Sequence, residues 1–194
     1  FVVESFVDEL AELAGKNPLA MRRQHLHHAP KALATLDLAA EKARWDQPLP
    51  AGVYRGIAQH ESFNSFAAQV VEVSVQDQLI KVHRVVCAVD CGRVVHPDGV
   101  VAQVQSAIIY ALSAALYGEI TFKDGAVEQS NFHDYPVLRA SEAPRIEVYL
   151  VPSDDPPRGI GEVGVPPLAA ALGNALYAAT GRRLRSLPFR LRES

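Results

Sequence analysis

One carboxylate lies inside a run of glycines, Gly159-Ile160-Gly161-Glu162-Val163-Gly164. Spelled Gly-x-Gly-x-x-Gly, the run suggests a dinucleotide site. Such a site needs a strand leading directly into the glycines and a helix opening within them, so that backbone N–H groups meet a pyrophosphate. The surroundings disfavour it. A stiff polar link, Pro152-Ser153-Asp154-Asp155-Pro156-Pro157-Arg158, stands before the motif, and about 20 residues on, where an acidic residue should hold a ribose, the chain reads Arg182-Arg183-Leu184. Read around Glu162 instead, the glycines allow positive φ and leave room beside the carboxylate for a large ligand, with Gly161 facing it. Glu162 is then a general base presented into a cleft, although spacing alone leaves a surface glutamate in a flexible turn equally open.

Other reactive residue types have plainer readings. His25, His27 and His28 have the chemistry to hold a metal, but consecutive histidines near a helix end are ordinarily solvated. The two cysteines, Cys87 and Cys91, fall in a strand and the turn after it. No second pair or flanking histidine pair completes a zinc pattern, so they read as buried free thiols, and a disulfide framework is excluded. Asp90, before Cys91-Gly92, reads as a turn residue accepting from local N–H groups.

The elements that must position Glu162 follow from periodicity. Residues 1–47 read as a helical section in three pieces. Ser5 and Asp8 suggest a capping box, Phe6, Val7, Leu10 and Leu13 recur at helical spacing, and Gly15 stops the helix. Asn17-Pro18 restarts it, and residues 31–43 give a third helix before Pro48-Leu49-Pro50. Residues 48–194 read as an α+β section carrying the Glu162 loop. From Gly52 the period turns to alternation, with Val71, Val73 and Val75 on one face, and a second run from Leu79 to Val89 completes an antiparallel hairpin. His96-Pro97-Asp98 opens a helix striped by Val101, Val104, Ile108 and Leu112. Lys123-Asp124-Gly125 marks another hairpin, Ile146, Val148 and Leu150 a last strand, and Pro166-Pro167 a small-residue helix ending at Gly181. Antiparallel strands and hairpins packed with helices make an α+β fold in one unit, residues 1–194.

Bulk properties narrow the classes. A chain of 194 residues, 48% hydrophobic, can bury a real core, and a net charge of −3 with scattered Lys and Arg excludes a nucleic-acid footprint. The apolar run from Gly99 to Tyr117 contains Gln103 and Gln105 and reads as a buried helix, too polar for a bilayer span. The abrupt opening Phe1-Val2-Val3 reads as the start of a fragment.

Three stretches together resemble a known family. They are G-I-G-E-V-G-V-P-P-L-A-A-A-L-G-N-A-L-Y-A-A-T-G from Gly159, H-R-V-V-C-A-V-D-C-G-R-V-V-H-P-D-G-V-V-A-Q-V-Q from His83, and N-F-H-D-Y-P-V-L-R from Asn131. They resemble the C-terminal portion of the large, molybdopterin-binding subunits of the xanthine dehydrogenase and aldehyde oxidase family, especially the beta subunits of its isoquinoline-oxidising members. The opening S-F-V-D-E-L-A-E-L-A-G-K-N-P-L resembles them too.

The resemblance implies a molybdenum hydroxylase acting with water on an N-heteroaromatic, isoquinoline-like molecule or an aldehyde. Its cofactor is a molybdenum–pterin group (molybdopterin), expected in the cytosine dinucleotide form. Glu162 corresponds to the glutamate that takes a proton from the Mo–OH group, and Gln103 to the glutamine of an A-Q-V pattern that hydrogen-bonds the pterin, a fit for an amide that both donates and accepts. His133 and Tyr135 fall where substrate would pass, though core or hairpin packing is the favoured reading. Ser106, Ala107 and Ala111 replace expected glycines and Val163 an expected proline, adding atoms where a cofactor would approach. The implied partners are the remainder of the large subunit and a separate [2Fe-2S] small subunit, since this chain lacks the cysteines for a cluster. The fragment alone is expected to bind no cofactor and to be inactive. A non-enzymatic alternative is an assembly module that forms homo-oligomers through surface meant for the missing part.

Overall fold

The hydrophobic alternation of residues 65–90 builds the centre of the fold. In the computed structural model, which describes residues 1–191, β2 (Ser65–Gln76) and β3 (Leu79–Asp90) pair antiparallel as a hairpin. Arg192, Glu193 and Ser194, at the end of the 48–194 section, lie outside the described residues. β1 (Tyr54–Ser62) pairs with the other edge of β2. Both connections are two-residue turns with positive φ at each position, Phe63 and Asn64 at 55° and 58°, Asp77 and Gln78 at 49° and 64°. That geometry matches the twist of the flanking strands.

The last strand departs from the antiparallel pattern. β6 (Arg145–Leu150) lies parallel to β3, giving a four-stranded sheet in the order β1-β2-β3-β6. The α+β class holds; only this edge differs. Alternation of Ile146, Val148 and Leu150 marks a strand without fixing its direction. A parallel neighbour requires a crossover, supplied here by the segment containing α4 (Pro97–Leu116). The small hairpin of β4 (Phe122–Lys123) and β5 (Ala126–Val127) turns at Asp124-Gly125 as expected and stands exposed.

Helices cover both faces of the sheet. On one, Val71, Val73, Val85, Cys87 and Val89 meet Val104, Ile108 and Leu112 of α4 and Leu168, Leu172 and Leu176 of α5 (Pro166–Thr180). On the other, Ala68, Val70, Val86 and Ala88 meet Leu36, Ala39 and Ala40 of α3 (Pro30–Lys42). A strand covered on both sides has no solvated face, which explains the nearly unbroken apolar run in β2. Burying each α5 leucine contributes roughly 1.5–3 kcal/mol relative to exposure.

Two expectations change. α1 (Val2–Leu13) begins ahead of Ser5, so the Ser5/Asp8 capping box does not form and Asp8 pairs instead with Arg22 of α2 (Pro18–His25). α4 is not buried all round. Although long and apolar enough to span a membrane by length and composition, it buries only the stripe that meets the sheet and α5, leaving Gln103, Ser106 and Tyr110 outside. The caps at Asn17, whose side chain accepts from Leu19 and Ala20, and at Gly181, with φ 69°, form as read.

Gly56 sets the spacing between β1 and α5. A Cβ there would lie 2.3 Å from both the Ala171 carbonyl oxygen and the Ala175 nitrogen, which are backbone atoms that cannot rotate aside. Gly56→Val is expected to cost about 3 kcal/mol and lower the melting temperature by roughly 6–12 °C. Thermal unfolding checks this, and an unchanged transition would mean that α5 is not held this closely.

Candidate functional site

The glycine run is delivered by a link strapped across the end of β3. Val151 N–H donates to Val89 O at 2.8 Å, Arg93 N–H to Asp155 O at 2.8 Å and Arg158 N–H to Cys91 O at 2.9 Å. Asp90 has the expected turn role, its Oδ1 accepting from Gly92 N–H at 3.0 Å. Gly92, at φ 74°, is required twice over, because a Cβ would also fall 2.1 Å from Pro156 O.

The three glycines around Glu162 serve close approach, not unusual torsion. None of Gly159, Gly161 and Gly164 has positive φ, which overturns that part of the expectation. A Cβ on Gly159 would lie 2.6 Å from Phe63 Cβ, and one on Gly164 would lie 3.1 Å from Ala107 Cβ and 3.3 Å from Val104 O. The loop is therefore pressed against the β1–β2 turn at one end and α4 at the other. Phe63 itself holds a left-handed conformation that bulky residues seldom adopt, directly beneath Gly159. Polar anchors complete the attachment. Ser65 Oγ donates to Gly159 O at 2.6 Å, Gln69 Nε2 to Gly164 O at 2.8 Å, and Arg158 Nη1 to Asn64 O at 2.8 Å.

Between these anchors the middle of the loop faces outward. Gly161 and Glu162 are exposed, and a Cβ on Gly161 would meet nothing within 4 Å. Val163 turns inward and is fully buried. Gln103 projects from α4 one residue before Val104, whose carbonyl faces Gly164, so the structure brings the two sequence-predicted regions together. Of the four substitutions expected to crowd a cofactor, three fill the core instead. Val163, Ala107 and Ala111 belong to the buried core, because positions 104, 107, 108 and 111 form the inward stripe of α4; only Ser106 is exposed.

This surface suits a pterin-type group. Among the described residues, no protein acceptor pairs with the backbone N–H groups of Ile160, Gly161, Glu162 or Val163. The exposed Gln103 amide, without a hydrogen-bond partner among the described residues, offers a donor and an acceptor on α4, next in sequence to Val104 whose carbonyl faces Gly164. A dinucleotide pyrophosphate fits poorly. α5 opens only after the motif, and its first residues are Pro166 and Pro167, which lack the N–H groups that would receive the phosphates.

Sequence reading missed Ser65 and Gln69. Gln69 carried a signal, since it interrupts the apolar run Ala67-Ala68-Gln69-Val70-Val71, and a polar side chain in a strand covered on both faces must find a specific partner. The remaining candidates fall away. His25, His27 and His28 lie at the surface, and no group of metal-ligating side chains occurs among the described residues. His133 is exposed beside Asp134, so it packs neither in the core nor in the hairpin, because its segment is closed by Asp134 accepting from Ser130 and Asn131 N–H groups. Tyr135 is half-buried near Gly118.

Cys87 and Cys91 are free and buried. Burial pushes the Cys87 thiol up to about 12 and also raises that of Cys91, so both stay protonated near neutrality. A thiol reagent at pH 8 is expected to leave Cys87 unmodified in the native protein and to label both after unfolding. Rapid native labelling at Cys87, located by peptide mapping, would contradict this burial.

Residues 3–144 match the family described as the molybdopterin cofactor-binding domain. The chain belongs to that family, with Gln103 inside the matched residues and Glu162 beyond them. Among individual relatives, it is 38% identical to the beta chain of isoquinoline 1-oxidoreductase from Brevundimonas diminuta, over 98% of this chain and 25% of the relative. It is 35% identical to a nicotinate dehydrogenase component from Pseudomonas putida, over 97% of this chain and 17% of the relative. The aldehyde oxidoreductase structure from Desulfovibrio desulfuricans superposes with a TM-score of 0.57 at 25% identity, covering 64% of this chain and 14% of that one. The chain thus spans about a quarter or less of the lengths of these relatives.

Proposed function

We propose that this chain is the part of a molybdenum hydroxylase large subunit that presents the general base, Glu162, to the substrate. The observation that carries the reading is geometric. An exposed carboxylate, next to the open Gly161, sits at the crest of a loop whose flanks are fixed by hydrogen bonds to main-chain carbonyls, and the Gly164 end of that loop packs on α4 at Val104, next in sequence to the exposed Gln103. Membership of a molybdopterin-binding family supplies the cofactor class, and the cytosine dinucleotide form belongs to the proposal. When bound, the cofactor supplies a two-electron acceptor and Lewis acidity. Gln103 would orient the pterin edge, and a Glu162 oxygen would accept a proton of water as its oxygen bonds to an electron-poor carbon, the hydrogen on that carbon leaving with its electron pair to the two-electron acceptor.

The names of the relatives, for isoquinoline, nicotinate and aldehyde oxidation, support an N-heteroaromatic or aldehyde substrate. The remainder of the large subunit covers Glu162, which is exposed in this chain. Electrons leave through a [2Fe-2S] cluster outside this chain, whose two cysteines are buried and too few to hold one, and a separate small subunit as its carrier belongs to the proposal. The full-length subunit, expressed with its small subunit, should contain stoichiometric molybdenum and release a fluorescent pterin on denaturation. Absence of molybdenum, or retention of a nicotinamide nucleotide in its place, would overturn the proposal.

An assembly role has one observation in its favour. α1 exposes Val2, Val3, Phe6 and Leu13, an apolar edge suited to burial against other protein. Light scattering on the isolated chain tests it, with self-association through α1 the supporting result and a monomer at high concentration the opposing one.

A further inference from the structure

We propose that Gln69, with Ser65, is a positioning residue for Glu162; the inference rests on the general-base reading given above. Both lie on β2, four positions apart, and even spacing puts them on the same face of the strand. That face turns toward α4 and α5, and both side chains are completely buried. Ser65 Oγ holds Gly159 O at 2.6 Å and Gln69 Nε2 holds Gly164 O at 2.8 Å. The strand therefore acts as a fixed bracket, gripping one carbonyl before Glu162 and one after it while leaving the carboxylate itself free.

Gln69 is an expensive residue for this place. Its amide orientation is set by chemistry, since Gly164 O can only accept, and this leaves Oε1 buried without a hydrogen-bond partner. The other contact of Nε2, Cys87 Sγ at 3.7 Å, is weak. An unpaired buried acceptor lowers stability, and an apolar residue of similar volume would exchange it for another, the Gly164 carbonyl left without its donor. The geometry points to a group whose use is the placement of the Glu162 loop, where a shift of about 1 Å can cost on the order of 100-fold in rate.

The test uses the complete enzyme with its cofactor and small subunit, assayed on isoquinoline, nicotinate and an aldehyde. Gln69→Met is expected to lower kcat about 10- to 100-fold, leaving KM within about twofold, molybdenum content unchanged and the melting temperature within a few degrees of wild type, since one unpaired buried acceptor replaces another. In a Glu162→Gln background, the same change should produce no further loss, because the bracket acts through the carboxylate. Ser65→Ala, which deletes one oxygen from the other anchor, should show the same pattern and serves if Gln69→Met does not fold. Wild-type kcat in both single variants overturns the proposal, as does an equal fractional loss in the Glu162→Gln background. If Glu162→Gln alone retains full turnover, the general-base reading fails first and the bracket falls with it, an outcome distinct from a bracket that fails while Glu162 proves essential.

Discussion

Replacing Glu162 with glutamine in the complete enzyme is expected to lower turnover by about 10²–10⁴, equivalent to about 3–5 kcal/mol of barrier, with no loss of bound molybdenum. The separation of the two effects follows from how the loop is built. The hydrogen bonds fixing residues 159–165 use main-chain atoms of the loop, namely Gly159 O, Gly164 O, the Glu162 carbonyl accepting from Val165 N–H at 2.9 Å and the Val165 carbonyl accepting from Leu168 N–H at 3.3 Å, while Ile160, Val163 and Val165 pack on the core. The Glu162 side chain is exposed and makes no hydrogen bond among the described residues, so an amide of the same shape disturbs none of these contacts. Glutamine cannot take up a proton at neutral pH, and only the proton-accepting step is removed. Single-turnover reduction of the enzyme by substrate, measured beside metal content, checks both halves. Turnover above about a tenth of wild type would show that another group serves as base, since the loss expected from general-base removal is at least tenfold larger.

The outline of this loop was legible in sequence because its determinants are local. Glycines flanking a carboxylate, a proline-rich link before them and Pro166-Pro167 after them are all read within one stretch, as were the hairpins and the caps at Asn17 and Gly181. What was not legible is long-range. The contacts of Ser65 and Gln69 with the loop join positions more than 90 residues apart, and no local period announces them. The same reason hid the direction of β6, since alternation reports faces and not neighbours. The glycines were misread in a related way. Glycine signals either a left-handed torsion or a close approach, and only the positions of Phe63 and Ala107 show that the second applies at Gly159 and Gly164. Likewise, the direction faced by Ala107, Ala111 and Val163 decides whether their extra atoms crowd a ligand or fill the core; here they fill the core.

Arg22 is the residue whose loss is expected to destabilise the fold most. Its side chain is 2% exposed and binds Glu4 through Nε at 2.8 Å and Asp8 through Nη1 at 2.5 Å. It also donates to the Glu4 carbonyl at 2.8 Å, while the Glu4 carboxylate accepts from Gln59 N–H on β1 at 2.8 Å. One guanidinium thus ties α1, α2 and the sheet edge together. Arg22→Met keeps the side chain apolar and long but strands two carboxylates, so a loss of about 3–5 kcal/mol is expected. The sign of the pH dependence identifies the cause. Burial already raises Asp8 above the ordinary carboxylate range, with Arg22 pulling it back down. Without Arg22 it should rise further, the folded state should hold more protons than the unfolded one, and stability should fall as pH rises from the unfolded carboxylate value through the folded one. The variant should therefore melt higher at pH 5 than at pH 8, with a larger difference than wild type shows. Adding Glu4→Gln and Asp8→Asn to Arg22→Met should recover most of the stability and flatten that dependence, because a buried network neutralised as a whole carries no uncompensated charge. If the triple variant is no more stable than Arg22→Met alone, the penalty comes from lost hydrogen bonds and packing around the guanidinium, and the stranded carboxylates are not its source.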